Sequence, residues 1–188
     1  LEAWDWWYYA EKLRQEKYDL NEDAIKPYFS QEDVHNGLCT VVNKLYGITL
    51  APCDSISVYN KDVKTYIVKD ADGSLLGVFY SDYMPRASKR SGAWMSNFRE
   101  QQEGVRPLIY NVASFTKPAG DLPSLLTIDE ARTMYHEFGH ALHGLLTQCK
   151  YKGVSGTSVA QDFVELPSQI MEHWAVEPEV LKMYAKHY

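Results

Sequence analysis

Residues 134–144 read MYHEFGHALHG and place His136, Glu137, His140 and His143 within about two turns of a presumed helix. Side chains four apart on a helix lie one above the other, so His136 and His140 project from one face within reach of a single ion. Glu137 sits beside them, able to touch a water at that ion without ligating it. This is the HExxH pattern, in which zinc acidifies water and the glutamate takes the proton.

His143 shares the face but fails as a third ligand. It lies seven residues from His136, about 10.5 Å of rise, whereas zinc holds imidazole nitrogens at about 2.0–2.1 Å. The longer HExxHxxGxxH pattern fails too. Its glycine position is His143 and its last histidine position is Leu146. The remaining ligand must come from another element. In DFVELPSQIMEHW, the residues Asp162, Glu165, Gln169 and Glu172 recur at spacings of three and four, on one face of a second helix. Glu165 follows His140 by 25 positions, enough chain for a loop and a return. Two histidines, one glutamate and an open position form a catalytic zinc arrangement, unlike a closed four-ligand structural one.

Blander readings stand beside these. A histidine pair on a helix can be surface polarity, and Glu165 can be the capping partner of Asp162 at a helix start. Glu172, His173 and Asp162 are candidates for orienting the ligand histidines. His143 is expected to support the site or face substrate, and His35 and His187 to be surface residues.

Outward from the motif, 188 residues suffice for one domain with a real core. With 45% hydrophobic and 23% charged residues, the composition is that of a soluble globular protein. The 14 Tyr and 5 Trp suit large buried surfaces or a substrate groove. A net charge of −6 argues against a nucleic-acid partner. No apolar run approaches the roughly 18 residues of a membrane span. Cys39, Cys53 and Cys149 lack metal-site spacing and read as reduced thiols, hence a cytoplasmic setting, with export left open. A chain that opens on Leu1 and stops in YAKHY is expected to be a piece of something longer.

The hydrophobic period changes twice. Residues 1–50 read as helical, with Ser30 and Asp33 opening a helix and Gly47 closing it. Residues 54–116 alternate β-branched or aromatic residues with polar ones, Asp72-Gly73 supplying a tight turn, and read as a small sheet. Residues 122–188 return to helices, which carry the metal site. Helices, small sheet, helices is an α+β order, mostly α.

HEFGHALHG followed by SGTSVAQDFVELPSQIMEHWA resembles the M3 family of zinc oligopeptidases, and so do WDWWYYAEK, YDLNEDAIKPYF, LLGVFYSDYMPRASKRSGAWM and RPLIYNVASFTKP. The SKRSGAWM form is most similar to the dipeptidyl carboxypeptidase branch. The resemblance implies a Zn2+ cofactor held by His136, His140 and Glu165, with Glu137 as general base. It implies a thermolysin-like zincin core within a larger helical catalytic domain, and short peptides as substrates; beside it, a monomer without a membrane partner is expected. Substrate would add as a strand along a sheet edge, for which Gly92, Ala93 and Trp94 are the candidates. The loop Ser155-Gly156-Thr157 would line the cleft, its glycine permitting close backbone approach. Members also carry a C-terminal stretch whose histidine and tyrosines stabilise the oxyanion. Nothing in this sequence matches it, so the water-activating half of the machinery is expected here without the other half, and a zinc- or peptide-binding piece without efficient turnover is the alternative. Release of C-terminal dipeptides is favoured over endo-acting cleavage on that likeness.

Overall fold

The computed structural model describes residues 1–18 and 21–188. Three helices come first: α1 (Trp6–Tyr18), α2 (Glu22–Ile25) and α3 (Gln31–Tyr46). Five strands follow: β1 (Thr49–Pro52), β2 (Lys64–Lys69), β3 (Leu75–Asp82), β4 (Trp94–Arg99) and β5 (Leu108–Val112). The chain then returns to helices α4 (Ile128–Leu146), α5 (Gln161–Val164), α6 (Leu166–Val176) and α7 (Pro178–Tyr184). The strands form one mixed sheet in the order β1-β2-β3-β5-β4, with β3 and β5 parallel and the other pairs antiparallel. This is the α+β architecture expected, with more residues in helices than in strands. Among the described residues, no helix is long and apolar enough to cross a membrane.

Local signals explain the elements. The Ser30 hydroxyl accepts the Asp33 N–H at 3.1 Å to start α3, and Gly47 ends it in the left-handed conformation at φ 75°. After that cap the chain turns directly into β1. The sheet therefore begins at Thr49, inside the stretch read as helical, because Gly47 stops the helix three residues earlier than the change of hydrophobic period suggests. Asp72 accepts the Ser74 N–H at 2.8 Å in the β2–β3 turn, with Gly73 at φ 84°. The opening aromatics do not build core. Trp4, Trp6 and Trp7 are exposed and no residue of α1 is buried.

The core forms around α4. Ala131, Met134, Tyr135, Phe138, Ala141, Leu142 and Leu145 recur at helical spacing and are buried. They meet Phe79 and Ile109 of the sheet, Met171 and Ala175 of α6, and Tyr184 of α7. Phe79 and Phe138 pack edge to face at 5.1 Å. The far end of α4 lacks a glycine cap, and Arg106 takes its place. Its guanidinium donates to the carbonyls of Leu145 and Thr147 while Nε holds the Leu76 carbonyl at 2.7 Å, tying α4 to β3.

A buried ionic cluster fixes the loop that leads to β4. Asp82 accepts from Arg86 at 2.7 and 2.8 Å and from Tyr59 at 2.9 Å. The Lys89 ammonium stands 2.9 Å from Asp82 and donates to the carbonyls of Asp82, Met84 and Ala113. Burial works against the ionised Asp82, but the bonds from Arg86, Lys89 and Tyr59 outweigh it and hold its carboxyl below the ordinary range. Side-chain exposure is only 1% for Asp82 and 2% for Lys89. Asp82→Ala would strand the Lys89 charge, and breaking such a pair costs about 3–5 kcal/mol. Because the folded carboxyl is depressed, this contribution is complete above about pH 4 and fades as pH falls through the folded value. Urea unfolding at pH 7 should show the full loss and a narrowing gap below about pH 4; equal midpoints at pH 7 would remove the cluster's role.

Candidate metal centre

Helix α4 is set at its start by a reciprocal cap. Thr127 Oγ1 accepts the Glu130 N–H at 3.1 Å, and Glu130 accepts the Thr127 N–H at 2.8 Å. Two turns on, the His136 and His140 rings stand 4.9 Å apart at 84°. Glu165 comes to both: its Oε2 lies 3.3 Å from His136 Nε2 and 3.1 Å from His140 Nε2. One ligand atom from each residue falls within 4.8 Å of the others. Donors about 2.0–2.1 Å from a tetrahedral ion would stand about 3.3–3.4 Å apart, so the spacing suits a zinc-sized cation.

The donor chemistry agrees. Glu172 Oε1 lies 2.6 Å from His136 Nδ1, and Arg132 holds the other oxygen of Glu172 at 3.2 Å. A carboxylate only accepts, so Nδ1 carries the proton. Nε2 is turned toward the Glu165 carboxylate. With the ring neutral, Nε2 and Glu165 Oε2 are two acceptors facing each other at 3.3 Å, an arrangement that a metal cation beside them would satisfy. Burial lowers the pKa of His140 from its ordinary value, favouring the neutral ring a metal requires. Its Nδ1 is buried without a hydrogen-bond partner among the described residues. The Ser168 hydroxyl, fully buried, holds Glu165 Oε2 at 2.7 Å and lies 2.8 Å from the Glu165 carbonyl oxygen. That bond is the leading cause holding the Glu165 carboxyl below its ordinary range.

Glu137 is 7% exposed, and burial, assisted by the Glu165 charge, pushes its carboxyl up to about 7 against the opposing pull of His136. It opens onto a cleft of ≈ 420 Å³ bounded by Asp129, Arg132, Thr133 and His136 of α4, by Glu172, and by Ala93. A cation at the triad would favour the charged form of this base. The arrangement can therefore hold a cation, and with it a water, beside a proton acceptor.

The other sequence candidates fall in varied places. Gly92 and Ala93 lie ahead of β4, which starts at Trp94; Gly92 is a bend at φ 98°. Ser155 and Gly156 are buried and Thr157 half-buried, with Gly156 against the backbone of Gly144. His143 turns away from the ligand atoms, its ring 6.1 Å from Phe163, in a groove between α4 and α6. Asp162 and His173 are exposed, and among the described residues neither bonds to the ligand set. The second helix is not continuous: it breaks at Glu165, which closes α5 and opens α6, because Pro167 in the first turn brings no N–H to a longer ladder. The Asp162–Glu165 capping pair consequently does not form, and the α5 cap is Ala160. His35 is not a surface residue either. It lies under Tyr66, 5.0 Å between rings, with Cys39 Sγ 3.6 Å from Nε2, and burial pushes its pKa down to about 4. Ser168 and Arg132 escaped the sequence reading, although their spacings from Glu165 and His136, three and four, were available to find them.

A sequence profile of peptidase family M3 matches residues 1–188. Dipeptidyl carboxypeptidases of Salmonella typhimurium and Escherichia coli are each 47% identical to the chain over 190 residues, covering 100% of it and 28% of their own length. Oligopeptidase A of Escherichia coli is 41% identical over 194 residues, with the same shares covered. The chain thus spans 28% of the length of these relatives.

Glu172→Ala should free the His136 ring and weaken zinc binding by about 10- to 100-fold. Arg132→Ala should cost less, since the half-exposed Arg132 acts only through Glu172. Competition against a chromophoric chelator reads both; unchanged affinity in Glu172→Ala would remove its orienting role.

Proposed function

The chain belongs to peptidase family M3, and from that premise we propose that it carries the zinc-binding and water-activating part of a metallopeptidase acting on short peptides. His136, His140 and Glu165 hold the ion, and the observation that carries this reading is their convergence on one carboxylate oxygen at 3.1 and 3.3 Å. Zinc bound there supplies Lewis acidity, polarising a carbonyl and lowering the pKa of water toward ~7. Glu137 takes the proton of the attacking water and returns it to the departing amine nitrogen. Its buried position beside the cleft supports this role, and no covalent intermediate is needed.

The peptide backbone lies along the free edge of β4, entering by Gly92, Ala93 and Trp94. Ala93 and Glu137 share one cleft, which supports that path. Main-chain hydrogen bonds would then give binding independent of side-chain identity. The Ser155-Gly156-Thr157 loop, whose Gly156 packs on Gly144 one turn beyond His140, would form a further wall. Release of C-terminal dipeptides is the preferred reaction, supported by 47% identity to relatives named dipeptidyl carboxypeptidase against 41% to one named oligopeptidase A.

Glu137→Gln should keep wild-type zinc content, because Glu137 is not a ligand, and should slow peptide hydrolysis by about 10²- to 10⁴-fold. Metal content and single-turnover hydrolysis of a quenched-fluorescent peptide, measured on the same preparation, read the two effects. A variant that still hydrolyses at the wild-type rate would end the assignment of Glu137 as base.

A further inference from the structure

The two helices that carry the ligands meet backbone to backbone at Gly139, the residue before His140. A Cβ placed on Gly139 would stand 2.5 Å from Ser168 Cα, 2.6 Å from the Pro167 carbonyl oxygen and 2.9 Å from Ser168 N. All three are backbone atoms, so no side-chain rotation relieves the contact. Gly144, one turn further along α4, differs. Its added Cβ would meet the tips of Ile109, at 2.4 Å, and Met95, at 3.1 Å, which are flexible side-chain ends.

We propose that Gly139 is a positioning residue for the metal site, its missing side chain setting the α4–α6 distance at which Glu165 reaches both histidines. The inference rests on the zinc reading above. HExxH chemistry leaves this position free, since its side chain neither ligates nor transfers a proton. What demands glycine here is the crossing. Ser168, the residue that would be pushed, is also the one whose hydroxyl holds Glu165 Oε2 at 2.7 Å. Restoring an ordinary carbon–carbon separation of about 3.5 Å requires α6 to retreat by roughly 1 Å. A metal site tolerates only about 0.2 Å in its ligand distances. Displacement of the α6 start therefore exceeds what the ligand set can absorb, and Glu165 is drawn away from His136 and His140 together.

The test compares zinc affinity, by chelator competition, in the wild-type chain, Gly139→Ala and Gly144→Ala, at a temperature where circular dichroism shows each folded. Gly139→Ala is expected to bind zinc at least about 10-fold more weakly, and Gly144→Ala to bind as wild type does, although it too disturbs α4 packing. Wild-type affinity in Gly139→Ala would overturn the inference. Equal weakening in both variants would overturn it too, by reducing the effect to general loss of helix packing. Loss of the fold in Gly139→Ala alone would make the glycine a folding requirement and overturn the positioning role. A wild-type chain that takes up no zinc would bring down the proposed function and this inference with it, an outcome distinct from the other three because the wild type itself fails.

Discussion

One carboxylate oxygen facing two imidazole nitrogens is the constraint around which the chain is arranged. Glu172 holds a proton on His136 Nδ1, which leaves Nε2 facing Glu165 Oε2 at 3.3 Å, and with a neutral ring those two acceptors are joined only through a cation. Holding such groups together requires elements that cannot yield. The reciprocal cap at Thr127 and Glu130 fixes one end of α4, and Arg106 satisfies the carbonyls at the other. Phe138, Met134 and Leu145 anchor the opposite face in the core. α6 then packs backbone to backbone on α4, and the buried Ser168 hydroxyl selects the Glu165 conformation that points at the histidines.

The sheet serves the same site from its other side. β4 runs at the edge beside α4, and the loop before it is fastened by the buried Asp82, which pairs with both Arg86 and the buried Lys89. Ala93 is thereby held across the cleft from Glu137. Two buried polar devices act on the two walls of one cleft: an ion cluster on the strand side and a hydroxyl–carboxylate contact on the helix side. Each satisfies groups that would otherwise be unpaired, and each restrains a wall that the chemistry needs at a defined separation.

Much of this is legible in the residues, because it depends on short spacings. A spacing of four between His136 and His140 places both on one face, and Ser30, Gly47 and Asp72-Gly73 mark element ends by local hydrogen bonding and backbone preference alone. What resists reading is set by tertiary contact. The break at Glu165 is hidden because the helical period continues through it, and only the position of Pro167 hints at the interruption. His35 looks isolated in sequence, yet folding brings Tyr66 over it from a strand thirty-one positions away. Asp162 shares the spacing of Glu165 and Glu172, but it lies on the far side of the break at Glu165 and is exposed, and His173, one position past Glu172, is carried outward by the 3.6-residue period.

The most direct test of the account is zinc stoichiometry, measured side by side for the wild-type chain and Glu165→Ala after dialysis against metal-free buffer. The account predicts one zinc per wild-type chain, lost or greatly weakened in the variant, because both histidines need the third donor that closes the site. Equal zinc in the two proteins, or none in either, would contradict it.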